Sequence, residues 1–151
     1  MDDLAREQGR FVVAVGAIIE DPATGQILLL KRSANVERVP GMWEGPAGRM
    51  QQGEDPEMSL RREIEEECGI PVEIIKPLNI FHEHRKQANG KVEVVGIIYW
   101  CRAKSLEIRL SDEHCDCRWL LPEEALALTE DAGVRDDIRA FVREAQRAAT
   151  A

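Results

Sequence analysis

Along the chain, apolar residues gather first in short runs and later at helical intervals. Phe11 to Ile19 is rich in Val, Ile and Ala and predicts a strand. Asp21, Pro22, Thr24 and Gly25 make a turn cluster, and Gln26 to Lys31 predicts a second strand, so the two form a hairpin. Ser33 to Gly53 has little periodicity. Its punctuators, Pro40, Gly41, Gly45, Pro46, Gly48 and Gly53 around Trp43, predict a shaped loop and not a floppy linker. After Asp55 the spacing becomes helical. Leu60, Ile64 and Cys68 fall on one side, facing a core; Ser59, Glu63, Glu66 and Glu67 fall on the other, facing away from it. Asp55 is a suitable N-cap, Pro56 fits the first turn, Gly69 fits the C-cap and Pro71 stops continuation.

Beyond that helix, Val72 to Ile75 and Leu78 to His84 read as extended, and Gln87 to Lys91, containing Asn89-Gly90, as a hairpin turn. Val92 to Ala103 predicts a long apolar strand, Leu106 to Leu110 a short one and Asp116 to Leu121 a further one. Pro122 to Leu128 predicts a short helix. Ala132 to Ala148 predicts an amphipathic helix burying Val134, Ile138, Phe141, Val142 and Ala145, with the last three residues fraying. Hairpin-linked strands with one embedded and one terminal helix make a mixed α/β (α+β) domain. Residues 1–10 form an N-terminal segment and 11–148 a single domain.

Composition narrows the function. With 44% hydrophobic and 32% charged residues among 151, the chain is an ordinary globular one. The net charge of -8 argues against a nucleic-acid-coating surface but not against a phosphorylated small molecule, because bound cations invert a local field. The acidic start, MDDLAREQGR, lacks a signal-peptide core, and no apolar run spans a bilayer; the expected location is the cytoplasm, with no membrane partner. Four cysteines are then expected as reduced thiols, and His114 with Cys115 and Cys117 lacks the second ligand pair of a zinc site.

The chemistry concentrates in the acidic helix. Glu63, Glu66 and Glu67 stand three and four residues apart, so one helix face carries three like charges, which calls for a cation between them. A hard divalent ion with oxygen preference, Mg²⁺ or Mn²⁺, suits that donor set. Arg32, at the end of the second strand, reads equally as a solvated terminus and as a phosphate contact. Trp43 reads as packing under its loop before it reads as stacking on a base. His82, Glu83 and His84 read as structural or rim residues.

The stretch from Gly48 to Ile70, GRMQQGEDPEMSLRREIEEECGI, resembles the signature box of the Nudix (MutT-like) hydrolases. Gly48, Glu54, Arg62, Glu63, Ile64, Glu66, Glu67, Gly69 and Ile70 fill its constrained positions at the right spacing. LLLKR, PGMWEGPAG and Asp112-Glu113-His114 with Arg118-Trp119-Leu120 extend the resemblance from Phe11 to Phe141. It implies an α/β/α sandwich with a mixed sheet between helices. It also implies metal-dependent hydrolysis of a nucleoside diphosphate linked to another moiety: a nucleoside triphosphate, ADP-ribose or nucleotide sugar, or a dinucleoside polyphosphate. By resemblance, Glu63, Glu66 and Glu67 hold the metal, Glu54 completes the acidic cluster and Arg62 pairs with Glu54 to hold the loop on the helix. Glu66, Glu67 and Glu113 are candidate general bases, and Arg32, Trp43 and Gly48 candidate substrate contacts. Many members are homodimers.

Pro46-Ala47-Gly48 resembles the variant found in ADP-ribose and nucleotide-sugar hydrolases, yet the proline that marks them downstream is missing between Pro77 and Pro122. Tyr99 lies too far along for the marker of the diadenosine-polyphosphate type. Three other classes compete: a non-catalytic nucleotide-sensing module on the same fold, a diphosphate isomerase, which needs a proton-shuttling cysteine where Cys68 faces the core, and a purely structural or scaffolding role.

Overall fold

Strands that are apolar on both faces must be covered on both sides, and this requirement organises the molecule. The computed structural model describes residues 9–88 and 90–151. In chain order the elements are β1 (Val12–Glu20), β2 (Ile27–Arg32), β3 (Trp43–Glu44), β4 (Ala47–Arg49), α1 (Pro56–Cys68), β5 (Val72–Gln87), β6 (Gly90–Ala103), β7 (His114–Leu120), α2 (Pro122–Leu128) and α3 (Ala132–Thr150). A seven-stranded sheet runs in the order β3-β2-β1-β6-β5, with β4 also paired to β1 and β7 to β2. Only the β1–β6 pair among these is parallel, so the sheet is mixed.

Alternate residues of the central strands feed two separate cores. Val15, Ala17 and Ile19 of β1, with Leu28 and Leu30 of β2, pack against Leu60, Ile64 and Cys68 of α1. Ile18 of β1, with Ile27 and Leu29 of β2, packs with Trp43, Trp100 and Phe141 beneath α2 and α3. The period of two therefore splits one apolar run between two layers of helix. The result is an α/β/α sandwich, as expected.

The embedded helix begins and ends where its local chemistry dictates. Asp55 accepts a hydrogen bond from the Met58 amide at 2.9 Å, Pro56 opens the first turn, and Gly69 closes the last at φ 67°. Gly69 N–H donates to the carbonyls of Ile64 and Glu65, satisfying two otherwise open acceptors. Arg61 reaches from the helix to the Val72 carbonyl at 2.8 Å, tying α1 to β5.

Four expectations change. The loop 33–53 contains β3 and β4, because its backbone finds ladder partners on β2 and β1. The two extended pieces after α1 are one strand, β5, with irregular register at Ile74–Lys76 and Pro77–Asn79, where a proline cannot donate to the ladder. Leu106 to Leu110 is not a strand; Ile108 and Leu110 pack on the first core while Arg109 N–H bonds Cys68 O at 2.8 Å. Helix α3 continues to Thr150, whose hydroxyl bonds the Gln146 and Arg147 carbonyls. Of the β5–β6 turn, Asn89 lies outside the described residues, as do residues 1–8 of the N-terminal segment; Gln87 pairs with Gly90 across it. Among the described residues no helix is long and apolar enough to cross a membrane.

Ile64 has no solvent exposure and joins α1 to β1 and β2 through the first core. Ile64→Ala is expected to cost about 2–5 kcal/mol of unfolding free energy. Urea denaturation followed by circular dichroism measures it.

Candidate active site

Strand β4 lies antiparallel to β1, with Val15 opposite Gly48 and Gly16 opposite Ala47, and this register presses the loop against α1. The approach is close. A Cβ on Gly48 would sit 2.0 Å from the carboxyl carbon of Glu63, the end of a flexible side chain, so a larger residue here would push the Glu63 carboxylate out of its place. Next to it, the Ala47 amide donates to Glu67 Oε2 at 3.0 Å.

Glu67 lies on the helix side that faces away from the apolar core, yet it is only 4% exposed, a burial that helical spacing did not indicate. It is roofed by β4. Burial pushes its carboxyl up to about 9, the Ala47 amide opposes this, and the charges of Glu63, Glu113 and Glu44 push it further. Burial likewise raises Glu63, against the pull of Arg62. Glu66 is exposed.

Arg62 organises the other carboxylates. Its Nε and Nη2 grip Glu54 at 2.7 and 2.9 Å, Nη1 reaches Glu63 at 2.9 Å and Glu66 at 3.3 Å, and Nη2 also donates to the Arg49 carbonyl at 3.1 Å. The hydrogen bonds from Arg62 hold the Glu54 carboxyl down at about 2, and those to Glu54 raise the guanidinium itself. Because Arg62 takes up Glu63 and Glu66, the three helix glutamates do not close on one another. Among the described residues here, the set whose ligating atoms lie within 4.8 Å is Glu67, Glu113 and His114.

Glu113 arrives from the loop before β7. Ser33 binds that loop twice, its amide to the Glu113 carbonyl and its hydroxyl to the Asp112 carbonyl, both at 2.8 Å. His114, which the sequence places beside two cysteines and at the end of the Asp112-Glu113-His114 loop without a role of its own, is buried at 4% exposure with its Nε2 3.1 Å from Glu44 Oε1. A carboxylate only accepts, so Nε2 carries the proton, and the buried Nδ1 has no partner among the described residues. Glu44, which no motif singled out, also receives Arg32 Nη1 at 2.9 Å. Burial works to raise it, but the hydrogen bonds from His114 and Arg32 outweigh that and leave it below the usual range.

Arg32, Glu44, Gly48, Arg38, Asn79 and Phe81 are among the residues lining a cavity of about 440 Å³ that shares the 45–49 wall with the carboxylates. At its far side Asn79 Nδ2 donates to Asp137 Oδ1 at 3.0 Å, and burial pushes that carboxyl up to about 6. Trp43 is 8% exposed in the second core, with the Arg118 guanidinium 4.9 Å over its ring, so it packs beneath the loop and is not among the cavity's lining residues.

The model of the NUDIX domain matches residues 10–143. The chain belongs to the Nudix hydrolase family. This Nudix pyrophosphohydrolase is similar to the nucleoside triphosphatase NudI of Escherichia coli, 30% identical over 122 residues, covering 76% of this chain and 86% of that protein. A MutT-like protein of Streptomyces ambofaciens is 28% identical over 113 residues, 75% of this chain, which spans 65% of that relative's length. A crystal structure of a MutT protein from Methanosarcina mazei superposes with a TM-score of 0.75 at 25% identity, covering 91% of this chain and 96% of that one. Mixed sheet and flanking helices match this fold.

The thiols of this Nudix hydrolase are free, and none is built for catalysis at the box: Cys68 is wholly buried and burial raises its pKa. Cys115 is exposed, and Cys117 packs on the first core. The donors at the box are carboxylate oxygens with one imidazole nitrogen, a set compatible with Mg²⁺ or Mn²⁺. A carboxyl raised to about 9 by burial, with three further carboxylates adding to the shift, also marks a site short of positive charge.

That shift has a consequence for stability. Folding raises Glu67 from its ordinary 4.5 to about 9, so the stability it supports is complete below 4.5 and is lost as pH rises toward 9. With divalent ions chelated, Glu67→Gln is expected to unfold at higher urea than the parent near pH ~8 and to show no advantage near pH ~4. Equal midpoints at the higher pH would contradict the buried, neutral carboxyl.

Proposed function

We propose that the protein hydrolyses a diphosphate linkage of a nucleotide, with a nucleoside triphosphate as the leading substrate class, in a reaction dependent on Mg²⁺ or Mn²⁺. The observation that carries the reading is the continuity of one wall. The segment 45–49 borders the 440 Å³ cavity on one side and gives Glu67 its hydrogen bond on the other. A nucleoside in that cavity directs its phosphates toward the carboxylates. The similarity to a nucleoside triphosphatase supports this choice of substrate over the sugar-linked and dinucleoside alternatives.

Glu63, Glu66, Glu67 and Glu113 are the residues that would hold the cation, with Glu54 behind them through Arg62. When bound, the cation supplies neutralising charge at the phosphate oxygens and lowers the pKa of water at the site. Loss of the Glu67 proton is linked to that binding, since a ligating carboxylate must be ionised. Arg62 keeps Glu63 and Glu66 oriented and fixes the loop through the Arg49 carbonyl. Glu66 and Glu113, both exposed, are able to accept a proton from an attacking water. Arg32, held by Glu44 and the Arg38 carbonyl, presents positive charge at the cavity for the phosphates.

A panel of nucleoside triphosphates, nucleotide sugars and dinucleoside polyphosphates, assayed with Mg²⁺ in ¹⁸O-labelled water, tests the proposal. Release of pyrophosphate or phosphate with one labelled product is expected, and it also identifies the phosphorus attacked. Glu67→Gln is expected to lower turnover roughly 10²-fold or more while leaving the circular dichroism spectrum unchanged. Tight nucleotide binding without turnover across the panel would instead identify a sensing module.

A further inference from the structure

Strand β5 has two working faces. Asn79, Phe81, Glu83 and Arg85 line the cavity, whereas His82 and His84 stand exposed on the opposite face. In the ladder with β6, His84 is opposite Glu93 and His82 is opposite Val95, so strand alternation puts Glu93 on the face of the two rings. His82 Nε2 lies 2.6 Å from Glu93 Oε1, and His84 Nε2 lies 3.8 Å from the same oxygen. The rings meet edge to face with centroids 5.3 Å apart. One ligating atom from each of the three residues falls within 4.8 Å of the other two. None of these groups enters the hydrolytic site.

We propose that His82, His84 and Glu93 form a second cation site, on the outer face of the β5–β6 hairpin, that takes a borderline transition-metal ion of the Ni²⁺, Cu²⁺ or Zn²⁺ class. Two imidazole nitrogens and one carboxylate oxygen are the donors such ions prefer, whereas Mg²⁺ seeks oxygen alone. Residues two apart on a strand lie about 6.6 Å apart along it and share a face, which lets two Nε2 atoms converge on one ion. From Asn79 to Gln87 the ladder with β6 runs without a register shift and holds the backbone of all three ligands, so small side-chain rotations suffice to close the set. Three protein ligands on an exposed face leave the remaining positions to water, an open site. A simple hydrogen bond between His82 and Glu93 accounts for one ring and gives no role to the second ring beside the same oxygen.

The chain has three histidines, which makes the test direct: His82, His84 and His114. Ni²⁺ is titrated into the full chain in excess Mg²⁺ and followed by proton NMR of the imidazole resonances and by calorimetry. The expected result is broadening of two resonances, those lost in His82→Ala and His84→Ala, with the His114 signal still sharp. Each of these variants, and Glu93→Gln, is expected to weaken Ni²⁺ binding about tenfold or more. Glu67→Gln is expected to leave it unchanged, which separates this site from the hydrolytic one. Ni²⁺ affinity unaltered in both histidine variants, broadening of His114 ahead of the other two, or no binding by wild type would overturn the proposal and leave a surface hydrogen bond only.

Discussion

The burial of one carboxylate among others is the constraint on which the site depends. Glu67 is 4% exposed, accepts one amide hydrogen bond from Ala47, and faces the charges of Glu63, Glu113 and Glu44. Isolated in this way it favours its neutral form at neutral pH, and a compensating cation would reverse that preference. The surrounding structure holds the arrangement in place. Strand β4 roofs it, Gly48 permits the close approach of backbone to Glu63, and Ser33 ties the Glu113 loop beside it.

Arg62 prevents the same crowding from spreading over the whole helix. Exposed ion pairs contribute only about 0–1 kcal/mol each, but a guanidinium that grips one carboxylate with two nitrogens and touches two more is a network with fixed geometry. It divides the acidic residues into two groups. Glu54, Glu63 and Glu66 are satisfied by the arginine, and Glu67 and Glu113 are left facing each other without it.

A sheet covered on both faces gives this chemistry a rigid base. The first core seats α1, and hence its glutamates, against β1 and β2; the second seats α2 and α3 behind the cavity wall. The loop from Gly45 to Arg49 belongs to both regions. The division of labour between a pocket for a ligand and a cluster for its phosphates follows from where that loop crosses β1.

Much of this was legible in the chain itself. Helix α1 and its caps follow from Asp55, Pro56 and Gly69, because capping is decided within a few residues. The Glu54–Arg62 pairing is what the resemblance to the Nudix box implies, and the two apolar faces of β1 and β2 follow from composition. Other features depended on contacts between distant segments. Glu44 and His114 are seventy residues apart and nothing local in either stretch points to the other, yet packing β7 on β2 joins them beside Arg32. The breaks in β5 depend on its register with β6 and the irregular path of Leu106 to Leu110 on packing, so neither could be read from strand propensity. The burial of Glu67 was likewise invisible, since helical periodicity shows which side a residue faces but not that β4 covers it. The sequence determined the set of charges; the tertiary structure alone decided which of them lost contact with water.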